Sequence, residues 1–206
     1  TTGAGKSTII SLISRFYDIQ KGRILRDGQD IAQFSLEQLR RGVAVVLQDV
    51  FLFSGSIAEN VRLGNQEITD EQVAQALHLA CADRFIAELP GGMDYPVTER
   101  GSTFSAGQRQ LLSFARAIAH NPAVFVLDEA TASIDTDTEQ LIQQSVRNVS
   151  SGRTTIIIAH RLSTIRDCDC IYVLRGGRIR EQGTHEELMA LGGIYQKLHD
   201  MQIKDA

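Results

Sequence analysis

Three short apolar runs punctuate the chain, and none of them alternates with polar residues. Residues 43–47 (VAVVL), 124–127 (VFVL) and 154–159 (TTIIIA) have strand length. Continuous apolarity predicts strands covered on both faces, as in a parallel sheet. Helical spacing falls between and around them. Ile9, Leu12, Ile13 and Phe16 define a helix predicted over 8–16, and Leu141, Ile142, Val146 and Val149 define another over 135–149. Residues 22–30 read as a short hairpin around Asp27-Gly28, and residues 170–182 as two strands turning at Gly176-Gly177. Thr184, with Glu187 three residues on, opens a helix over 184–191.

From Asp49 to His120 the pattern changes and strands disappear. A short helix is predicted over 56–61. A longer one over 69–80 opens on Thr69 with Gln72 three residues on, and carries a stripe of Val73, Leu77 and Ala80. Pro90-Gly91-Gly92 ends this helical run. Ser105 then caps a long helix with Leu111, Phe114 or Ala115, and Ile118 on one face. Buried strands alternating with helices predict an α/β fold with a parallel-sheet core. The core comprises 1–48 and 121–206, and a helical subdomain, 49–120, is inserted into it.

Composition narrows the classes. With 206 residues, 43% hydrophobic and 22% charged, the chain has the make-up of an ordinary globular domain. A net charge of −4 gives no general case for nucleic-acid binding, and Arg40-Arg41 is too small a basic patch to make one. No apolar run reaches the roughly 18 residues of a membrane span. The cysteines Cys81, Cys168 and Cys170 show no disulfide framework and point to a reducing, cytosolic setting. Cys168 and Cys170 alternate at a strand start without a further ligand cluster, so metal or redox use is not expected of them. His78, His120, His185 and His199 are read as surface residues without partners.

The chemistry lies at the ends of the strands and in the loop that opens the chain. Gly3, Gly5, Lys6 and Ser7 fit the end of G-x-x-x-x-G-K-[ST], whose first Gly would sit just before Thr1. The chain opens inside this motif and is therefore expected to be a fragment of a longer one. Glycines let backbone N–H groups wrap phosphates, and the following helix N-terminus adds a favourable dipole. Lys6 would neutralise the β- and γ-phosphates, and Ser7 would ligate Mg²⁺. Asp128 and Glu129 end the second apolar run, where α/β sheets bind ligands. Asp128 would hold Mg²⁺ through water, and Glu129 would act as general base on the attacking water. His160 ends the third run as a γ-phosphate sensor, and Gln48 ends the first as a Mg²⁺ ligand or water-positioning group. The three strand ends are expected to converge on one sheet edge.

Taken together, these motifs closely resemble the ATP-binding domain of ABC transporters, over nearly the whole chain. A Walker A remnant (1–8), a Q-loop (Gln48), a signature motif (105–108), a Walker B strand (124–129), a D-loop (133–135) and an H-loop (His160) follow in order. The resemblance implies a P-loop NTPase fold with a RecA-like core. It implies ATP and Mg²⁺ as ligands, with Thr2, Gly3, Ala4, Gly5, Lys6, Ser7 and Thr8 around the phosphates. It also implies a head-to-tail dimer in which the signature residues Ser105, Ala106, Gly107 and Gln108 face the ATP of a second such domain, and it adds Asp135 of the D-loop to the ATP-binding residues. LFSGSIAENV (52–61) and VTERGSTFSAGQ (97–108) look like the exporter branch. There the Q-loop region touches transmembrane coupling helices, and the segment before the signature transmits closure. The implied setting is the cytoplasmic face of a membrane. A soluble ABC-type ATPase, a nucleotide-binding module without turnover and an importer subunit are the other readings. The signature departs from the usual LSGGQ at Phe104 and Ala106, which resembles one half of a heterodimeric exporter.

Overall fold

The computed structural model describes residues 4–47, 49–128, 136–159 and 162–204. The order of elements is α1 (Lys6–Ile13), β1 (Leu25–Arg26), β2 (Gln29–Asp30), α2 (Leu36–Arg41), β3 (Val43–Val46), β4 (Gly55–Ser56), α3 (Ile57–Arg62), α4 (Asp70–Leu79), α5 (Asp83–Ala87), β5 (Pro96–Val97), α6 (Ala106–Ala119), β6 (Val124–Asp128), α7 (Thr136–Ser150), β7 (Thr154–Ile158), β8 (Ile171–Arg175), β9 (Arg178–Gly183), α8 (His185–Leu191) and α9 (Ile194–Lys204). Contacts divide these into two units, one of residues 34–156 and one of residues 1–33 with 157–206.

The 34–156 unit is built on β3 and β6, which pair in parallel from Val43↔Val124 to Val46↔Leu127, with β7 on the other side of β6. The predicted continuous burial holds for β6, where Phe125, Val126 and Leu127 are all buried. In β3 only Val46 is buried, and Val43–Val45 are half-covered. Helix α6 packs against this sheet, with the Phe114 ring stacked on Phe125 at 6.2 Å and 18°. It also packs against α3, α4 and α7. Cover on several sides explains why α6 buries Gly107, Leu112 and Ala117 in addition to the predicted stripe. Helix α6 thus joins the helices to the sheet within this unit.

The segment in which no strand was expected contains one pair. β4 and β5 are antiparallel, Gly55↔Val97 and Ser56↔Pro96, and two residues each are too few to leave a period in the sequence. Capping boxes fix the helix starts as predicted at Thr69/Gln72 and Thr184/Glu187. Helices α2, α5 and α9 were not anticipated.

Helix α4 ends unusually. Cys81 takes the left-handed φ of 56° normally given to glycine, so that its N–H reaches the His78 carbonyl (2.9 Å) and the Ala82 N–H reaches Leu77 (2.8 Å). The remaining carbonyls are claimed by α7. Buried Ser145 donates to Ala80 O at 2.7 Å, and Asn148 Nδ2 donates to Leu79 O at 2.9 Å. A polar pair on one helix thus closes the end of another.

In the other unit, the predicted hairpins form as β1–β2 and β8–β9. A small core of Ile171, Val173, Leu188 and Tyr195 lies under α8 and α9. The Glu181 carboxylate accepts from the Tyr195 N–H at 2.9 Å and so anchors the start of α9, where an anion also suits the helix dipole. Helix α1 buries Ile10, not the Ile9 face read from the sequence. Ile9 and Phe16 are exposed.

His78 and His120 lie at the surface as the sequence suggests, but the histidines are not without partners. His78 donates to Asp83 at 2.7 Å, His120 Nε2 to the Arg62 carbonyl at 3.1 Å, and His185 bonds the Tyr195 hydroxyl at 2.8 Å. Burial and the nearby Arg116 hold the His120 imidazole below its ordinary pKa. No described helix is long and apolar enough to cross a membrane.

Candidate functional site

The first half of the site is the start of α1. Gly5 occupies its N-cap position with φ 97° and ψ 9°, a conformation that L-residues rarely adopt, and a Cβ there would meet nothing within 4 Å. Among the described residues no side chain caps this helix, and no acidic residue lies in its first turn. The leading N–H groups, which a helix cannot satisfy itself, are therefore left for an external acceptor. The positive end of the dipole selects an anion there. Lys6 is half-covered, Ser7 and Thr8 are exposed, and Ala4 is buried behind the turn. The helix stops after two turns in a Schellman motif. Arg15 sits at φ 51°, with Phe16 N–H on Ser11 O (2.8 Å) and Arg15 N–H on Leu12 O (3.1 Å). An open N-terminus, a left-handed glycine and a lysine in the first turn together fit a phosphate group.

The second half is the start of α6, in the 34–156 unit. Ser105 Oγ accepts from the Gln108 N–H at 3.1 Å, and Gln108 Oε1 accepts from the Ser105 N–H at 2.9 Å. This capping box holds the serine in one extended conformation at the N-cap. Ser105 and Ala106 are exposed, Gly107 is buried, and no acidic residue lies in the first turn. Phe104 faces inward. Its ring makes edge-to-face contacts with Phe85 (6.1 Å) and Tyr95 (6.0 Å), so it fills the core behind the signature.

Asp128 ends β6, half-buried, at the edge towards which β3 also runs. The sequence-predicted positions Thr2, Gly3, Gln48, Glu129, Asp135 and His160 lie outside the described residues. The phosphate loop (Ala4–Thr8) belongs to one unit, and Asp128 and Ser105–Gln108 to the other.

The two exporter-like segments are tied to each other. Beyond the β4–β5 pair, Ile57 N–H donates to Tyr95 O (3.2 Å) and Arg100 N–H to Leu52 O (3.0 Å). Gly101 fits only as glycine, since a Cβ would stand 2.6 Å from Leu52 Cδ1. Sequence reasoning missed one further polar knot, formed by Asn60 and Arg116. Both read locally as ordinary helix positions, and 56 residues separate them. No signal in a single sequence joins them.

Comparison with known proteins decides the family. Residues 1–132 match the family described as ABC transporter. This chain belongs to the ABC transporter family. The ABC ATPase domain seen here superimposes on a bacterial Atm1-family ABC exporter with ATP bound. The TM-score is 0.91 and the identity 46%, over 98% of this chain and 35% of that one. The fold is thus the P-loop NTPase fold of ABC ATPases. Among relatives, the ABC transporter ATP-binding protein exp8 of Streptococcus pneumoniae serotype 4 is 57% identical over 98% of this chain and 34% of that protein. The fatty acid ABC transporter ATP-binding/permease protein of Mycobacterium bovis is 48% identical over 96% of this chain and 31% of its own length. The ATP-dependent lipid A-core flippase of Xanthomonas oryzae pv. oryzae is 47% identical over 99% of this chain and 35% of its own length. The chain spans about a third of the length of these relatives.

Proposed function

We propose that this ABC ATPase domain binds and hydrolyses ATP and that the cycle drives export by a membrane transporter. The observation that carries the reading is the open, uncapped start of α1 behind left-handed Gly5, with Lys6 in its first turn. Backbone N–H groups of Thr2–Thr8 would wrap the phosphates, and Lys6 would offset their charge. Ser7, Asp128 and Gln48 are the proposed Mg²⁺ ligands. The ion, when bound, supplies neutralisation of phosphate charge. Glu129 takes the role of general base on the attacking water, and His160 that of γ-phosphate sensor.

Ser105, Ala106, Gly107 and Gln108 are proposed to meet the ATP of a second ABC ATPase domain, assisted by Asp135. The positive dipole end of α6 and the lack of acidic residues in its first turn support an anion there. ATP would hold the two domains together and its hydrolysis would release them. A RecA-like core (1–48 and 121–206) and a helical subdomain (49–120) are the proposed functional divisions. The segment after Gln48 would meet transmembrane coupling helices at the cytoplasmic face of the membrane. Ala106 in place of the usual glycine favours a non-identical partner. A fully active homodimer of the full-length subunit would refute that part.

The test is ATP affinity of the full-length protein with Lys6→Ala. Affinity should fall at least about tenfold, a loss of roughly 1.4 kcal/mol. Undiminished affinity would overturn the phosphate assignment.

A further inference from the structure

Arg116 lies in the last turn of α6, about 15 Å from the helix start at 1.5 Å per residue. Its guanidinium reaches out of the helix to the segment that follows Gln48. Nε donates to Asn60 O at 3.0 Å, Nη2 to Asn60 Oδ1 at 3.1 Å and Nη1 to Phe51 O at 3.1 Å. The same group lies over the Phe53 ring, 5.7 Å from its centroid. Burial lowers its pKa from the ordinary arginine value, as expected of a group withdrawn from water.

Asn60 completes the knot. It is buried, and its Nδ2 donates to Phe53 O (2.8 Å) and Ser56 O (3.0 Å), while its Oδ1 accepts from Phe53 N–H at 2.9 Å as well as from Arg116. The amide therefore copies the hydrogen bonding of a strand across a loop. Phe51 and Phe53 meet edge to face at 5.0 Å, and about half of each ring stays exposed (44% and 50%). The loop holding these rings is fastened a second time, through Arg100 N–H on Leu52 O, to the segment that leads into Ser105.

We propose that Arg116 is a positioning residue that locks the Phe51–Phe53 loop to the signature helix, so that the loop and Ser105–Gly107 move as one body. The loop is gripped from two ends of α6, its N-terminal lead-in and its last turn. A loop held at one point could pivot, but held at two it must carry the helix with it. Lysine could not substitute. It has no planar fork to serve three acceptors in fixed directions. The proposal rests on the nucleotide reading above.

Contiguous bonds prove coupling only when one element biases another, so the test measures that bias. Amide hydrogen exchange is followed in full-length protein with and without ATP and Mg²⁺, for the unsubstituted chain and for Arg116→Lys. In the unsubstituted chain ATP should slow exchange both at Ser105–Gln108 and at Phe51–Phe53, by about fivefold or more. In Arg116→Lys, Ser105–Gln108 should still respond, and the response at Phe51–Phe53 should fall below about half. An undiminished loop response in Arg116→Lys overturns the proposal. If ATP slows exchange at Ser105–Gln108 but not at the loop in the unsubstituted chain, the Arg116 proposal alone fails. If neither site responds, the nucleotide reading fails with it. Should Arg116→Lys not fold, Phe53→Leu leaves the guanidinium hydrogen bonds in place, removes the guanidinium–ring and Phe51–Phe53 ring contacts, and should weaken the loop response about twofold. No weakening there also overturns the proposal.

Discussion

Ser105 and Gln108 hold each other at the start of α6, each side chain accepting the other's backbone N–H, at 3.1 and 2.9 Å. Ser105 therefore has a structural role in the isolated domain that precedes any contact with nucleotide. A loss of activity on changing Ser105 could arise from either role, and two substitutions separate them. Ser105→Ala removes the cap and should cost about 1 kcal/mol of stability in urea unfolding. Ser105→Asp keeps a good N-cap and suits the helix dipole, so stability should be retained. The same carboxylate would repel a phosphate, and ATP-dependent association of two domains should be lost. Association that survives Ser105→Asp would contradict the role given to this helix end.

The end of α4 makes a second prediction. Ser145 is fully buried and its hydroxyl proton is shared between Ala80 O at 2.7 Å and Leu141 O at 2.8 Å. Ser145→Ala leaves the Ala80 carbonyl without that donor, and should cost about 1–3 kcal/mol. Ser150 is the control, because among the described residues its hydroxyl donates within α7, to Val146 O at 2.8 Å. Ser150→Ala should change stability by about 0.5 kcal/mol or less. Equal effects in urea titrations would show that the α7–α4 link carries no stability.

The third concerns pH. His120 is held below the ordinary pKa of 6.5, first by burial, then by Arg116, against the favourable bond to the Arg62 carbonyl. The unfolded chain therefore binds this proton more readily than the folded one. The folded-state advantage is complete above the unfolded pKa of 6.5 and is lost as pH falls from there through the depressed folded value. His120→Asn keeps a donor and cannot titrate. The loss of unfolding temperature between pH 7.5 and pH 5.5 should be smaller in His120→Asn than in the unsubstituted protein. An equal loss in both would exclude His120 as the source.

What could be read in advance was local. The capping pairs Thr69/Gln72 and Thr184/Glu187 and the cap at Ser105 are short-range chemistry, and all three form. Strand β6 was legible because nothing polar interrupts it until Asp128. What escaped depends on residues far apart in sequence. Phe104 reads as an odd signature residue until Phe85 and Tyr95 are seen around it. Helix α9 starts on a carboxylate from Glu181, well upstream in the chain. Arg116 and Asn60 look like polar helix positions until their side chains meet. His120 and His185 read as partnerless because neither the Arg62 carbonyl nor the Tyr195 hydroxyl is a sequence neighbour. Of the candidate site, Ala4–Thr8, Ser105–Gln108 and Asp128 have local surroundings that suit their roles. Gln48, Glu129 and His160 rest on motif chemistry.

The central claim is that this chain turns over ATP with Glu129 as the general base. It is tested by steady-state ATP hydrolysis of the full-length protein carrying Glu129→Gln, with ATP binding measured alongside. Gln keeps the size of the side chain and removes its basicity. Turnover should fall by about 10² to 10⁴ while ATP affinity is retained. Turnover equal to that of the unsubstituted protein would contradict the account.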